Sequence, residues 1–162
     1  GTLELLSKYH YMTAEYIVNN ENPVWEDVDL SFTTQLPIFK LTLKNESFKG
    51  KKINNIKFIV GNNVKVTSIT DFTASEDEGQ IIAYFVLEPQ QINDNTVITL
   101  VCDNVTYSAE IHSSTMLQAG KLYRIDKTMD VADVVMIYED NKALITVYDE
   151  NGFPLDLFLI SK

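Results

Sequence analysis

The sequence predicts an all-β sandwich, and three observations carry the prediction. The first is the stretch VDLSFTTQLPIFKLTLK, Val28 to Lys44. Val28, Leu30 and Phe32 alternate with Asp29, Ser31 and Thr33; beyond Pro37, Phe39, Leu41 and Leu43 alternate with Lys40, Thr42 and Lys44. Period two places one row of side chains in a core and the other in water, so the stretch reads as two strands or one long bent strand. The second is spacing: about eleven short strand-like runs recur between turn signals, with no helix of ordinary length. The third is IIAYFVL, Ile81 to Leu87. A continuous apolar run of strand length is expected in the middle of a sheet with both faces covered.

The elements follow in order. Residues 2–20 fit either a short helix from Leu3 to Leu6 or an extended segment through Tyr9, Tyr11 and Thr13. Asn19, Asn20, Asn22 and Pro23 mark a turn, and Trp25 is expected to cover one end of the core. Pro37 lacks an amide donor and belongs at a kink or a sheet edge. After the polar turn NESFKGKK, Ile53 to Val60 is a strand with Ile56, Phe58 and Val60 on one side. Gly61, Asn62 and Asn63 turn the chain into Val64 and Val66, because glycine and asparagine tolerate positive φ. Thr96 to Cys102 and Val105 to Ile111 flank Asp103-Asn104, a two-residue hairpin signal. Gly120 precedes a short strand, Lys121 to Ile125.

The tail reads as a β-meander: Val134 to Tyr138, Ala143 to Tyr148 and Leu155 to Ile160, with Asn151-Gly152 at the last turn. Residues 1–130 are expected to form the sandwich domain and 131–162 the meander, packed on the sandwich or continuing it. Its last run is apolar on both faces except at Asp156, so it needs cover from its own sandwich or from another subunit. Short turns favour cover within the chain. Phe32, Leu41, Phe58, Phe85, Ile98, Leu100 and Tyr107 are the expected core.

Composition bounds the function. The chain has 162 residues, 45% of them hydrophobic, which suits one domain with a packed core. A formal net charge of -10 argues against nucleic acid, which needs clustered Lys and Arg, and against docking on an anionic membrane. No run reaches the ~18 apolar residues of a transmembrane span. Cys102 is the only cysteine, so neither an intrachain disulfide nor a multi-thiolate metal site is open to the chain.

No constellation in the sequence predicts catalysis, so no enzyme activity, catalytic residue, metal or cofactor is expected. His10 and His112 lie far apart and lack ligand spacing. His112, Ser113 and Ser114 are adjacent, without the nucleophile elbow of a hydrolase. Glu76, Asp77 and Glu78 before Gly79 could offer calcium several oxygens, but the spacing of a calcium loop is missing and a solvated loop explains them. Tyr84, Tyr107, Tyr123, Tyr138 and Tyr148 could line a sugar-binding face, although strand positions of this kind ordinarily serve packing. The sequons at Asn45 and Asn104 matter only in a glycosylating host.

A resemblance adds to this reading. The early KYHYMTAEYIVNNENPVWEDVDLSF runs into TTQLPIFKLTLKN and then INNIKFIVGNN; later, VTYSAEIHSSTMLQAGKLYRID contains the phrase Leu-x-Ala-Gly-Lys-x-Tyr, Leu117 to Tyr123. This order resembles the fimbrillin-like proteins of Bacteroides-type bacteria, the major and minor fimbrium subunit families, over about residues 9–126. The resemblance implies a transthyretin-like, Greek-key β-sandwich that the phrase closes, with Gly120 at the turn and Tyr123 opening the closing strand. It also implies an exported, lipid-anchored precursor displayed at the cell surface or outer membrane, with a structural or adhesive role in a fimbrium. Its partners would be other fimbrial subunits or surface ligands of host or bacterium, engaged through β-strand pairing. The first residues, GTLELLSKYH, contain neither a signal peptide nor a lipobox cysteine, so leader and anchor are expected only in a precursor. A surface glycan- or peptide-binding sandwich that does not polymerise is the alternative.

Overall fold

The computed structural model describes residues 12–14, 33–68, 71–92, 95–139 and 142–161. The strands are β1 (Met12–Thr13), β2 (Thr33–Thr34), β3 (Ile38–Lys44), β4 (Lys52–Val60), β5 (Asn63–Ser68), β6 (Phe72–Thr73), β7 (Gln80–Val86) and β8 (Gln91–Ile92). They continue with β9 (Thr96–Cys102), β10 (Val105–Ile111), β11 (Thr115–Met116), β12 (Leu122–Thr128), β13 (Asp130–Val131), β14 (Val134–Glu139), β15 (Lys142–Tyr148) and β16 (Pro154–Ser161). One 3-10 turn, Glu46–Phe48, interrupts them.

The all-β sandwich is present, followed by a C-terminal meander. In one sheet β3 lies between β7, antiparallel to it, and β12, parallel to it. The other sheet runs β13-β10-β9-β4-β5, with β6 beside the start of β4. The neighbours β4 and β9 are distant in sequence, as in a Greek-key path. Between the sheets Phe39 stacks on Phe85 at 4.7 Å, and Phe58 meets both rings at 5.0–5.5 Å. Leu41, Phe58, Phe85, Ile98, Leu100 and Tyr107 are all buried in this core. Phe32 and Trp25 lie outside the described residues.

Local chemistry explains the details. In β3 the row Phe39, Leu41, Leu43 is buried against Lys40 and Thr42, the alternation the sequence carries. Pro37 immediately precedes the strand, where its missing amide costs no ladder bond. In β4, Ile53 and Ile56 both point into the core although they are three residues apart. A bulge makes this possible: Asn54 pairs with Val101 but Lys57 with Thr99, so one extra residue sits on β4, and Asn55 takes φ 50° there. Asp103 (φ 50°) and Asn104 (φ 67°) make the tight β9–β10 turn that needs two positive φ values.

One expectation is corrected. Ile81 to Leu87 does not lie centrally with both faces covered. Among the described residues β7 is the outer strand of its sheet, and it alternates, Ile81, Ala83 and Phe85 buried, with Ile82 41% exposed. An apolar outer row does not require a second layer when the inner row alone fills the core.

The meander sits on the back of the larger sheet. Ile59, adjacent to the core residue Phe58, points away from the core and is buried by Val135 and Ile137 of β14 together with Ala132, with Val64, Val97 and Tyr148 alongside. The backbone fastens it: Ala132 N–H donates to the Thr106 carbonyl (3.0 Å), and Tyr138 N–H to the Asn62 carbonyl (2.7 Å). Gly152 is a third point of attachment. Its φ is +77°, its carbonyl accepts from Thr106 N–H (3.1 Å), and a Cβ there would stand 2.5 Å from a Val105 methyl and 2.9 Å from the Thr106 carbonyl oxygen.

Candidate functional site: an open strand and an open edge

Cover for the last strand within its own chain, the sequence-based preference, is not what the structure gives. β14 is covered; β16, two strands farther out, is not. Leu155, Leu157 and Leu159 are 61–67% exposed, and Phe158 and Ile160 about half exposed on the opposite face. β16 pairs only with β15, so among the described residues its second edge is unpaired. The Leu157 N–H illustrates this: it is taken by the carboxylate of its own neighbour, Asp156, at 2.8 Å. The meander was legible in the sequence, but its depth over the sandwich was not, because three strands at ~4.8 Å spacing carry β16 about 10 Å beyond β14.

A second open edge lies across the sandwich. β12 pairs with β3 on one side and with no described strand on the other. Opposite it, β13 pairs only with Tyr107 and Ser108 of β10, so among the described residues no strand pairs with the later half of β10 along that edge. Between them runs an open cleft of about 320 Å³ with Phe39, Ile92, Ile111, Tyr123 and Ile125 contributing apolar surface and Arg124, Asp126, Lys127 and His112 contributing polar or charged groups. The phrase Leu117 to Tyr123 builds one end of it. Leu117 is buried, Gly120 turns at φ +74°, and the Tyr123 hydroxyl accepts the Gln118 N–H at 2.9 Å while its ring stacks on Phe39.

The residues singled out for chemistry are not brought together. His112 is exposed and pairs with Glu110 at 3.2 Å. Ser113 bonds to Thr115 (3.2 Å), and Ser114 accepts from Gln91 (2.8 Å). His10 lies outside the described residues. Burial pushes the Cys102 thiol up, and nearby Asp103 pushes it further. The Lys51 ammonium is held above its ordinary range by its hydrogen bond and charge contact with Asp103, 2.9 Å away. Glu76, Asp77 and Glu78 form an exposed turn closed by the Gly79 N–H on the Ser75 carbonyl, and among the described residues no three His, Cys, Asp or Glu converge on a metal-sized site. Tyr107 is buried against Phe48, whereas Tyr138 is exposed on the meander. Asn45, in the first sequon, donates to the Met129 carbonyl (2.6 Å) and accepts from Ser47 N–H, so its side chain ties the chain end of β12 to the 3-10 turn.

Comparisons with protein-family models, with curated proteins and with solved structures found no match. No helix among the described residues is long and apolar enough to cross a membrane.

Proposed function

We propose that this chain is a non-catalytic structural protein of the cell surface, a fimbrillin-like subunit or adhesin that assembles through β-strand pairing. The observation that carries the reading is β16: an eight-residue strand whose Leu155, Leu157 and Leu159 on one face and Phe158 and Ile160 on the other are exposed, with one edge unpaired among the described residues. A strand of that kind associates with another strand or aggregates. The cleft beside β12 suits it as an acceptor. β12 is seven residues long, the cleft is floored by apolar side chains, and Arg124 and Lys127 stand where Asp156 could be answered. Main-chain hydrogen bonds would supply the pairing and the leucine row the burial. Because donor and acceptor are different surfaces of one chain, such pairing is head-to-tail and propagates. An exported precursor and an outer-membrane or surface location belong to the same proposal.

Leu157→Pro tests it. Proline at that position removes an amide that β15 does not use, so the meander keeps its pairing while the outer edge loses a donor. The expected result is a folded variant with an unchanged melt that no longer forms concentration-dependent higher oligomers. Wild-type protein that stays monomeric up to millimolar concentration, or oligomers unaffected by Leu157→Pro, would overturn the reading. If only the cleft is used, by an extended peptide from another protein, substitutions along β12 would abolish that binding while Leu157→Pro would not.

A further inference from the structure

The meander leaves one corner of the sandwich's back open, and that corner is a cleft. The chain enters β14 with Ala132 N–H on the Thr106 carbonyl and nears its end with Tyr138 N–H on the Asn62 carbonyl, so β14 crosses the back of the larger sheet from β10 to the β4–β5 turn. Beside it the sheet presents a row in register, Ile59 next to Val97 and Val97 next to Glu110. His112 stands 3.2 Å from Glu110, and Asn95 and Asn62 border the same space. With Val134 and Met136 as its wall the cleft measures about 510 Å³, within the roughly 300–1,000 Å³ of small-molecule sites. The wall also offers main chain. Tyr138 N–H points away from β15, so the amides and carbonyls of Met136 and Val134, at alternate positions of the same strand, point the same way, into the cleft. Among the described residues no backbone group meets them.

We propose that this cleft binds a neutral sugar. Its lining divides into aliphatic surface, from Ile59, Val97 and Met136, and a cluster of hydrogen-bonding groups. A sugar ring is divided in the same way, with a C–H face and a rim of hydroxyls that each donate and accept. The carboxylate of Glu110 accepts, the amides of Asn62 and Asn95 do both, and the main chain of Val134 and Met136 adds one donor and one acceptor each. Other ligands fit worse. An anion would meet Glu110 and no Lys or Arg among the described residues of the lining, on a chain of net charge -10. A metal ion would find one carboxylate and one imidazole, and among the described residues no third ligand of that kind converges on them. An organic cation would find no aromatic ring in that lining, and a carboxylate already paired with His112. An extended peptide would have only Val134 and Met136 to pair with, because Tyr138 N–H is taken and β14 begins at Val134. No described tyrosine lines the cleft, so this is not the tyrosine face that strand positions suggested; an aliphatic floor without a stacking ring sets the expected Kd at about 1–10 mM. The inference does not rest on strand pairing: of the lining residues only His112 also borders the cleft beside β12.

Titration of the isotope-labelled full chain with glucose, galactose, mannose and N-acetylglucosamine, each to about 50 mM and followed by amide chemical shifts, tests this. The expected result is saturable shifts with at least one of these sugars at Val97, Glu110, Val134 and Met136. Glu110→Gln, which removes a charged acceptor from an exposed side chain, should weaken that binding about tenfold. Asn62→Gly, which keeps the positive φ of 66° at the turn, should weaken it about threefold, and both variants should stay folded. Leu157→Pro should leave it unchanged. No saturable shift with any of the four sugars, shifts centred on Tyr123 and Ile125, an affinity that neither cleft variant moves, or larger shifts with butylammonium chloride than with any sugar would overturn the inference. Because Leu157→Pro acts on the strand edge and Glu110→Gln on the cleft, failure of sugar binding and failure of strand-paired assembly are read separately.

Discussion

The sandwich and the meander are built from the same material and end in opposite situations. β3 and β16 are both extended runs with an apolar row, yet Phe39, Leu41 and Leu43 are enclosed while Leu155, Leu157 and Leu159 stand in solvent. The difference lies in the layer opposite. β3 faces β4 and β9 across a filled core; of the meander, β14 and Tyr148 at the end of β15 pack on the outward side of β4 at Ile59, while the leucine row of β16 is exposed. An alternating pattern therefore fixes which residues seek burial, while the topology decides whether the chain itself supplies the second layer. Where it does not, the unsatisfied strand becomes a surface for assembly.

The largest expected effect sharpens that contrast from the sandwich side. Phe58→Ala removes a ring packed against Phe39 and Phe85, and should cost about 3–5 kcal/mol, measured by chemical denaturation. The effect should be smaller where the layers are thinner. Ile137→Ala, in the small cluster under β14, should cost about 2 kcal/mol, the low end for such truncations, because the meander can settle onto Ile59. A loss equal to that of Phe58→Ala would mean that the two regions unfold as one unit. The smallest effect belongs to Leu159→Ser, which should change monomer stability by less than about 0.5 kcal/mol while lowering the tendency to associate. A large drop in the monomer melt would break the contrast by showing that β16 is already packed.

Much of this architecture was legible from residues alone. Turn chemistry located the Asp103-Asn104 hairpin, where both residues take positive φ, and the last turn at Asn151-Gly152, where Gly152 alone does. Alternation identified the inner row of β3; β14 is apolar at every position from Val134 to Tyr138, so which row faces the sandwich required coordinates. The run Ile81 to Leu87 misled, because an unbroken apolar run does not distinguish a central strand from an edge strand. The bulge that lets Ile53 and Ile56 share the core had only Asn54-Asn55 as its signal, and the edge of β12 left unpaired among the described residues had none, since pairing partners are properties of the assembled sheet. The apolar character of β16 was plain in the sequence; that its leucine row is exposed and its outer edge unpaired among the described residues required coordinates.

The central claim is that the sandwich core at β9 forms without a partner, whereas the meander is completed by association. Amide hydrogen exchange at two protein concentrations tests it most directly, because it reads each strand separately. At low concentration the amides of β9 should exchange slowly and those of Leu155 to Ile160 quickly; at high concentration the β9 amides should be unchanged and those of β16 slowed by an order of magnitude or more. Amides of β16 that are as protected as β9 in the dilute monomer, or unprotected at every concentration, would contradict the account.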